Sequence, residues 1–267
     1  MFPGIGGELS DFADLARRLS RERPVYGVKL VGTEGECEPL REMQRLASLH
    51  AADIRHIQRE GPYFLFGYSF GGALAFEVAR ELQALGGRVG LVILADSPAP
   101  GYPKFPPALV RAVAHVGRLL KFGNGGGITY LKGRIRRRIE VVRRMLGIEE
   151  PPPPAPETET TQQIEPPIDR RVLNALDEAY NYYVPTPLAI DVLILSAETQ
   201  PDLPAMKFDD ALLGWGDNLR GRIIQCQTPG THFDLFAPHN LEILVQHIRA
   251  GLTQAERSDA PLGYAHA

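Results

Sequence analysis

Cysteine is scarce in this chain. Cys37 and Cys226 are the only two, and they stand far apart. That excludes a disulfide framework and a cysteine-built metal cluster, and it fits a reducing compartment. Cys226 sits in an apolar-leaning run and reads as a small core residue. Long apolar runs are missing as well. No stretch approaches the ~18 residues that a membrane span requires. The start has no basic segment followed by an apolar one, so no secretory signal is expected. Excess positive charge is also lacking. The net charge of −3 makes the chain as a whole a poor candidate for nucleic acid. No internal repeat is visible. These absences lead to the expectation of a soluble, cytoplasmic protein without a resident metal or cofactor.

What is present suits one large α/β domain: 267 residues, 44% of them hydrophobic, is enough for a substantial core. Residues 25–30 (VYGVKL) read as a short strand, and 43–59 as a helix with Met43, Leu46, Leu49 and Ile54 among its apolar positions. "YFLFG" at 63–67 is a buried strand, followed by a helix closed at Gly86-Gly87. Further strands are expected at 89–96, 189–198 and 221–227, and a last helix at about 240–252. Continuous apolar runs separated by helices predict a mostly parallel sheet with helices on both faces.

One interval breaks this rhythm. Residues 98–188 show no sheet strand. They include a basic amphipathic stretch with Leu131, Ile135, Ile139, Val142 and Met145 on one side, then a proline-rich acidic stretch, then a helix at about 169–183. The insertion, about 99–187, leaves from the C-terminal end of a strand, where parallel sheets place their ligands. It therefore reads as a helical lid.

Gly67-Tyr68-Ser69-Phe70-Gly71 fits G-x-S-x-G, with a strand before and a helix after. In that setting the serine takes a strained backbone and presents its hydroxyl over the sheet edge, and the small neighbours remove Cβ clashes. A hydroxyl needs a base. His232, in the "TPGTHFDLF" loop between the last strand and the last helix, is where this topology brings an imidazole over the sheet. His50 and His56 fall in a helical pattern and read as packing or surface residues. His239 is the nearest rival but reads as a cap. The base needs an acid to orient it. Asp96 ends one strand; Glu198 and Asp202 follow the next. Carbonyl attack needs oxyanion donors. The N–H of Phe70 is one, and the N–H of Ile5, in the glycine-rich loop "FPGIGGE" at 2–8, is the other.

The stretches "FPGIGG", "VYGVKLVG", "GPYFLFGYSFGGALAFEVARELQALGGRVGLVILADSPAPG" and "TPGTHFDLFAPHN" together resemble thioesterase domains of the nonribosomal peptide synthetase and polyketide synthase type. The resemblance covers most of the chain outside about 102–185, and it implies an α/β-hydrolase fold over 1–267 with the lid inserted. In that family the acid directly follows the strand after the elbow helix, which selects Asp96. Carried over, Ser69, Asp96 and His232 form the triad, and Ile5 and Phe70 the oxyanion hole. The implied activity releases an acyl, peptidyl or polyketide chain from the phosphopantetheine arm of a carrier protein, by hydrolysis or cyclisation. The basic run Lys132 to Arg144 is a docking candidate for an acidic carrier. Family members usually have a strand or two before the "FPGIGG" loop, so the expectation is a truncated start or a sheet that opens one strand late. Two other readings share these residues: an esterase or lipase of oxygen esters, and a non-catalytic binding module on the same fold.

Overall fold

A computed structural model describes residues 1–32, 38–102, 169–200 and 210–259. The elements, in chain order, are α1 (Ala13–Leu19), α2 (Met43–Ile57), β1 (Tyr63–Tyr68), α3 (Phe70–Ala84), β2 (Val89–Ala95), α4 (Arg170–Asn181), β3 (Val192–Ala197), β4 (Ile223–Thr228) and α5 (Pro238–Asp259). The four strands lie in the order β1-β2-β3-β4, and all three pairings are parallel.

The sheet is covered on both faces, as the continuous apolar runs require. Successive side chains of a strand point to opposite faces. Accordingly, Val92 and Leu94 of β2 join one buried cluster, with Leu46 of α2, Leu74 and Val78 of α3 and Leu176 of α4. Leu91, Ile93 and Ala95 of the same strand join the other, with Leu15 of α1 and Leu244 and Ile248 of α5. β3 is buried along its whole length, whereas β4 alternates exposed and half-buried positions, the pattern of an edge. Cys226 lies on that edge strand, half-buried against the second cluster.

One expected element does not form. Residues 25–30 form no regular element. They meet the N-terminus through Val28 N–H to Met1 O at 2.8 Å and the Met1 amine to Tyr26 O at 2.7 Å. The neighbouring stretch, Met1–Phe2, itself makes only an isolated bridge to β1, Phe2 with Gly67. A partner so short does not support a strand pair.

α4 lies within the range expected for the insertion, yet Val172, Leu176 and Ala179 are buried in the first cluster. Its amphipathic spacing and the Asp169 cap, which accepts from the Arg171 N–H at 2.8 Å, define it locally. The expected basic helix, the proline-rich stretch and the carrier-docking run lie outside the described residues.

Candidate active site

β1 ends at Tyr68 and α3 begins at Phe70, so Ser69 alone makes the turn between strand and helix. Its backbone sits at φ 54°, ψ −122°, a conformation that costs about 1–3 kcal/mol in a residue with a side chain. Three hydrogen bonds hold it there. Ser69 N–H donates to Ala95 O at 3.1 Å, and Ser69 O accepts from Gly72 N–H at 3.1 Å and from Ser97 Oγ at 2.6 Å. Trp215, fully buried, donates its indole N–H to Ser97 O at 2.7 Å and so anchors Ser97. Close approach explains the glycines that follow. A Cβ on Gly72 would come within 2.2 Å of Ser97 Oγ, and one on Gly71 within 2.4 Å of the Phe2 and Pro3 carbonyl oxygens.

The loop at 2–8 is tied to the same corner. Phe2 N–H donates to Phe66 O at 2.7 Å, and Tyr68 N–H to Phe2 O at 3.1 Å. A Cβ on Gly4 would lie 3.7 Å from Ser69 Cβ. Gly7 N–H closes a turn onto Gly4 O at 2.9 Å, with Gly7 at φ 73°. Ile5 occupies the second position of that turn, where its N–H takes no part in the closing bond. Phe70 is the first residue of α3, so its N–H has no acceptor one turn earlier.

Asp96 directly follows β2, at φ 40° and 4% exposed. Its Oδ2 lies 2.6 Å from His232 Nδ1. Its Oδ1 accepts from the Ala197 N–H at 2.8 Å and from Gln200 Nε2 at 3.1 Å. Burial alone would push this carboxyl up. The bonds from His232, Ala197 and Gln200, with the attraction of the imidazole, outweigh burial and hold it below the usual carboxylate range. Glu198, the alternative acid, is exposed, and Asp202 lies outside the described residues.

His232 opens a 3-10 turn, His232–Asp234, just after β4. Gly230 takes φ 93° to bring the chain over the sheet. Thr231 caps the turn: its N–H and its hydroxyl both donate to Asp234 Oδ1. Thr199 N–H donates to Gly230 O at 2.9 Å and links this loop to the one after β3. The Tyr68 ring stacks on the His232 imidazole. His50 is buried on α2, where its ring meets Phe2 edge-on at 5.9 Å, and His56 and His239 are exposed.

The structure thus joins Asp96 to His232 directly and places Tyr68, the neighbour of Ser69, against the same imidazole. Among the described residues no hydrogen bond links the Ser69 hydroxyl to His232. Sequence reasoning missed Gln200, Ser97 and Trp215 and took Tyr68 only as a position of the G-x-S-x-G motif. Only Tyr68 and Ser97 had a sequence signal, as neighbours of Ser69 and Asp96. Among the described residues no group of three or more His, Cys, Asp or Glu could hold a metal, and no helix is long and apolar enough to cross a membrane.

A strand-to-helix serine, a carboxylate-bound histidine after the last strand and a parallel sheet covered on both faces define an α/β-hydrolase fold. The chain belongs to the Thioesterase domain family, whose model matches residues 1–252. It is 42% identical over 97 residues to a Paxillus involutus protein named inactive atromentin synthetase, 36% of this chain and 10% of that protein. It is 37% identical over 130 residues to indigoidine synthase of Dickeya dadantii, 49% of this chain and 8% of that protein. The chain thus spans about a tenth of the length of these relatives. The RedJ thioesterase of the prodiginine pathway in Streptomyces coelicolor shares the fold, with a TM-score of 0.61 at 23% identity over 94% of this chain and 88% of that one.

Proposed function

We propose that this chain releases an acyl, peptidyl or polyketide chain from the phosphopantetheine thioester of a carrier protein, through an acyl-enzyme on Ser69. The observation that carries this reading is the 2.6 Å contact between His232 Nδ1 and buried Asp96, beside a serine held at positive φ. Asp96 fixes the tautomer with the proton on Nδ1 and leaves Nε2 free as a base. His232 takes the Ser69 proton as Oγ attacks the thioester carbonyl. The oxyanion forms against the N–H groups of Phe70 and Ile5, at the positive end of α3. The C–S bond breaks, and the pantetheine thiol leaves with the proton from His232. Water, or a hydroxyl or amine within the acyl chain, then attacks the ester and regenerates Ser69.

No resident cofactor is needed, since the pantetheine arm belongs to the partner. The partner is an acyl or peptidyl carrier, and the reaction is cytoplasmic. The chain works as one α/β-hydrolase domain over 1–267, and the 99–187 insertion returns to the core of that domain through α4.

Intact mass after exposure to a fluorophosphonate tests the site. A single adduct is expected on the wild type and none on Ser69→Ala. His232→Ala should slow labelling by at least about 10³-fold. Acyl-pantetheine thioesters should then turn over faster than matched oxygen esters. A wild type left unlabelled, or an adduct that survives Ser69→Ala, overturns the assignment; faster oxygen-ester turnover makes the protein an esterase.

A further inference from the structure

Tyr68 closes β1 and precedes Ser69, and its side chain is committed to His232. Its hydroxyl donates to the backbone carbonyl of His232 at 2.7 Å. Its ring lies against the imidazole, with centroids 4.8 Å apart and planes 25° apart. Phe236 meets the tyrosine ring edge-on at 4.9 Å, and Phe12 meets it at 6.3 Å. The phenol is therefore itself held by packing. Asp96 grips the imidazole at one nitrogen only. A single hydrogen bond leaves the ring able to pivot about the Nδ1 to carboxylate axis. A stacked face removes that freedom, and the bond to the His232 carbonyl fixes the backbone from which the ring projects.

We propose that Tyr68 is a positioning residue for the general base, setting the plane of the His232 imidazole while Asp96 sets its tautomer. The inference rests on the reading of His232 as the base for Ser69. The strand that delivers the nucleophile then also aligns the base, through adjacent residues. Burial, and then the carboxylates of Asp96, Asp11 and Asp234, push the phenol well above its ordinary range, so it keeps its proton and remains a donor. The ring also presents a π face to the imidazolium that forms when Ser69 gives up its proton.

The test compares Tyr68→Phe and Tyr68→Leu with the wild type, in the full chain. One readout is the rate of fluorophosphonate labelling at Ser69. The other is the NMR spectrum of the histidine ring C–H groups, with His232 identified by its loss in His232→Ala. In the wild type the His232 ring protons should be displaced upfield by the stacked ring. Tyr68→Phe should keep that displacement and slow labelling about fivefold, the worth of one neutral hydrogen bond. Tyr68→Leu should lose the displacement and slow labelling about thirtyfold. Partial rescue by phenylalanine separates a stacking role from general loosening. The inference is overturned if Tyr68→Leu is labelled at the wild-type rate, or if both variants slow equally with the His232 signals unmoved. A wild type that resists the probe but shows the displaced signals keeps the clamp and loses the proposed chemistry. A labelled wild type with an indifferent Tyr68→Leu loses the clamp alone.

Discussion

Asp96 accepts three hydrogen bonds through two carboxylate oxygens, from His232, the Ala197 N–H and Gln200. Ala197 ends β3 and Gln200 follows it, so the acid of one strand is held by the end of the next. On the proposed mechanism the charge on Asp96 serves both His232 as base and the stability of the fold. Asp96→Asn would place an amide against His232 and favour the tautomer with its proton on Nε2, which cannot accept from Ser69. Fluorophosphonate labelling should fall by about 10³–10⁴-fold. The carboxyl is held below its ordinary value in the folded state. Its contribution to stability is therefore complete above the unfolded value of about 3.9 and is lost as pH falls through the lower folded value. Urea unfolding should show the widest gap between wild type and Asp96→Asn near neutral pH. That gap should close in acid, below the folded value. A gap of constant size across pH would mean that the charge of Asp96 contributes nothing to folding.

At the scale of elements, the elbow depends on the loop at 2–8 as much as on β1 and α3. Phe2 bridges to Gly67, and the Phe2 and Pro3 carbonyls occupy the space where a side chain on Gly71 would stand. Gly71→Ala should push that loop away from Ser69, with a cost of about 1–3 kcal/mol from overpacking. The Phe2 and Tyr68 amides, which donate to Phe66 O and Phe2 O, should then exchange with solvent faster, and Ser69 labelling should slow. Gly6→Ala is the control, since a Cβ there meets nothing within 4 Å, and it should change neither. Unchanged exchange at Phe2 and Tyr68 in Gly71→Ala would show that the elbow does not clamp the loop. The elbow was legible in the sequence because its constraints are local: an apolar run, small residues at fixed spacing and a helical pattern. The contacts of Tyr68 and Gln200 were not legible. Tyr68 meets His232 across 164 positions and Gln200 meets Asp96 across 104, and no local spacing encodes such pairs. The 25–30 stretch was misread for the same reason, because an apolar run says nothing about whether a partner strand lies beside it.

For the whole molecule, the buried strands were readable from short unbroken apolar runs at 91–95 and 192–195, bounded by turn residues, which fit a sheet covered on both faces. The edge character of β4 was harder to read, since Ile223, Ile224 and Cys226 look apolar while their burial alternates. Among the described residues, His50 is a titratable weak point of the two-faced core. His50 is 2% exposed within the first cluster, edge-on to Phe2, and its Nε2 has no hydrogen-bond partner. Burial lowers its pKa, and Asp53, 3.9 Å away, offsets this only in part. The neutral imidazole is thus the form that the fold accepts. As pH falls below the unfolded value of about 6.5, the unfolded chain takes up a proton that the folded one resists. Stability drops by up to about 1.4 kcal/mol per pH unit until the lower folded value is reached. His50→Leu removes this term and the unpaired nitrogen together. Denaturant unfolding of wild type and His50→Leu between pH 7 and pH 5 should give a visibly flatter profile for the variant, with its advantage growing as pH falls. Parallel profiles would mean that His50 charges as readily in the fold as outside it, and that the first cluster admits water at this point.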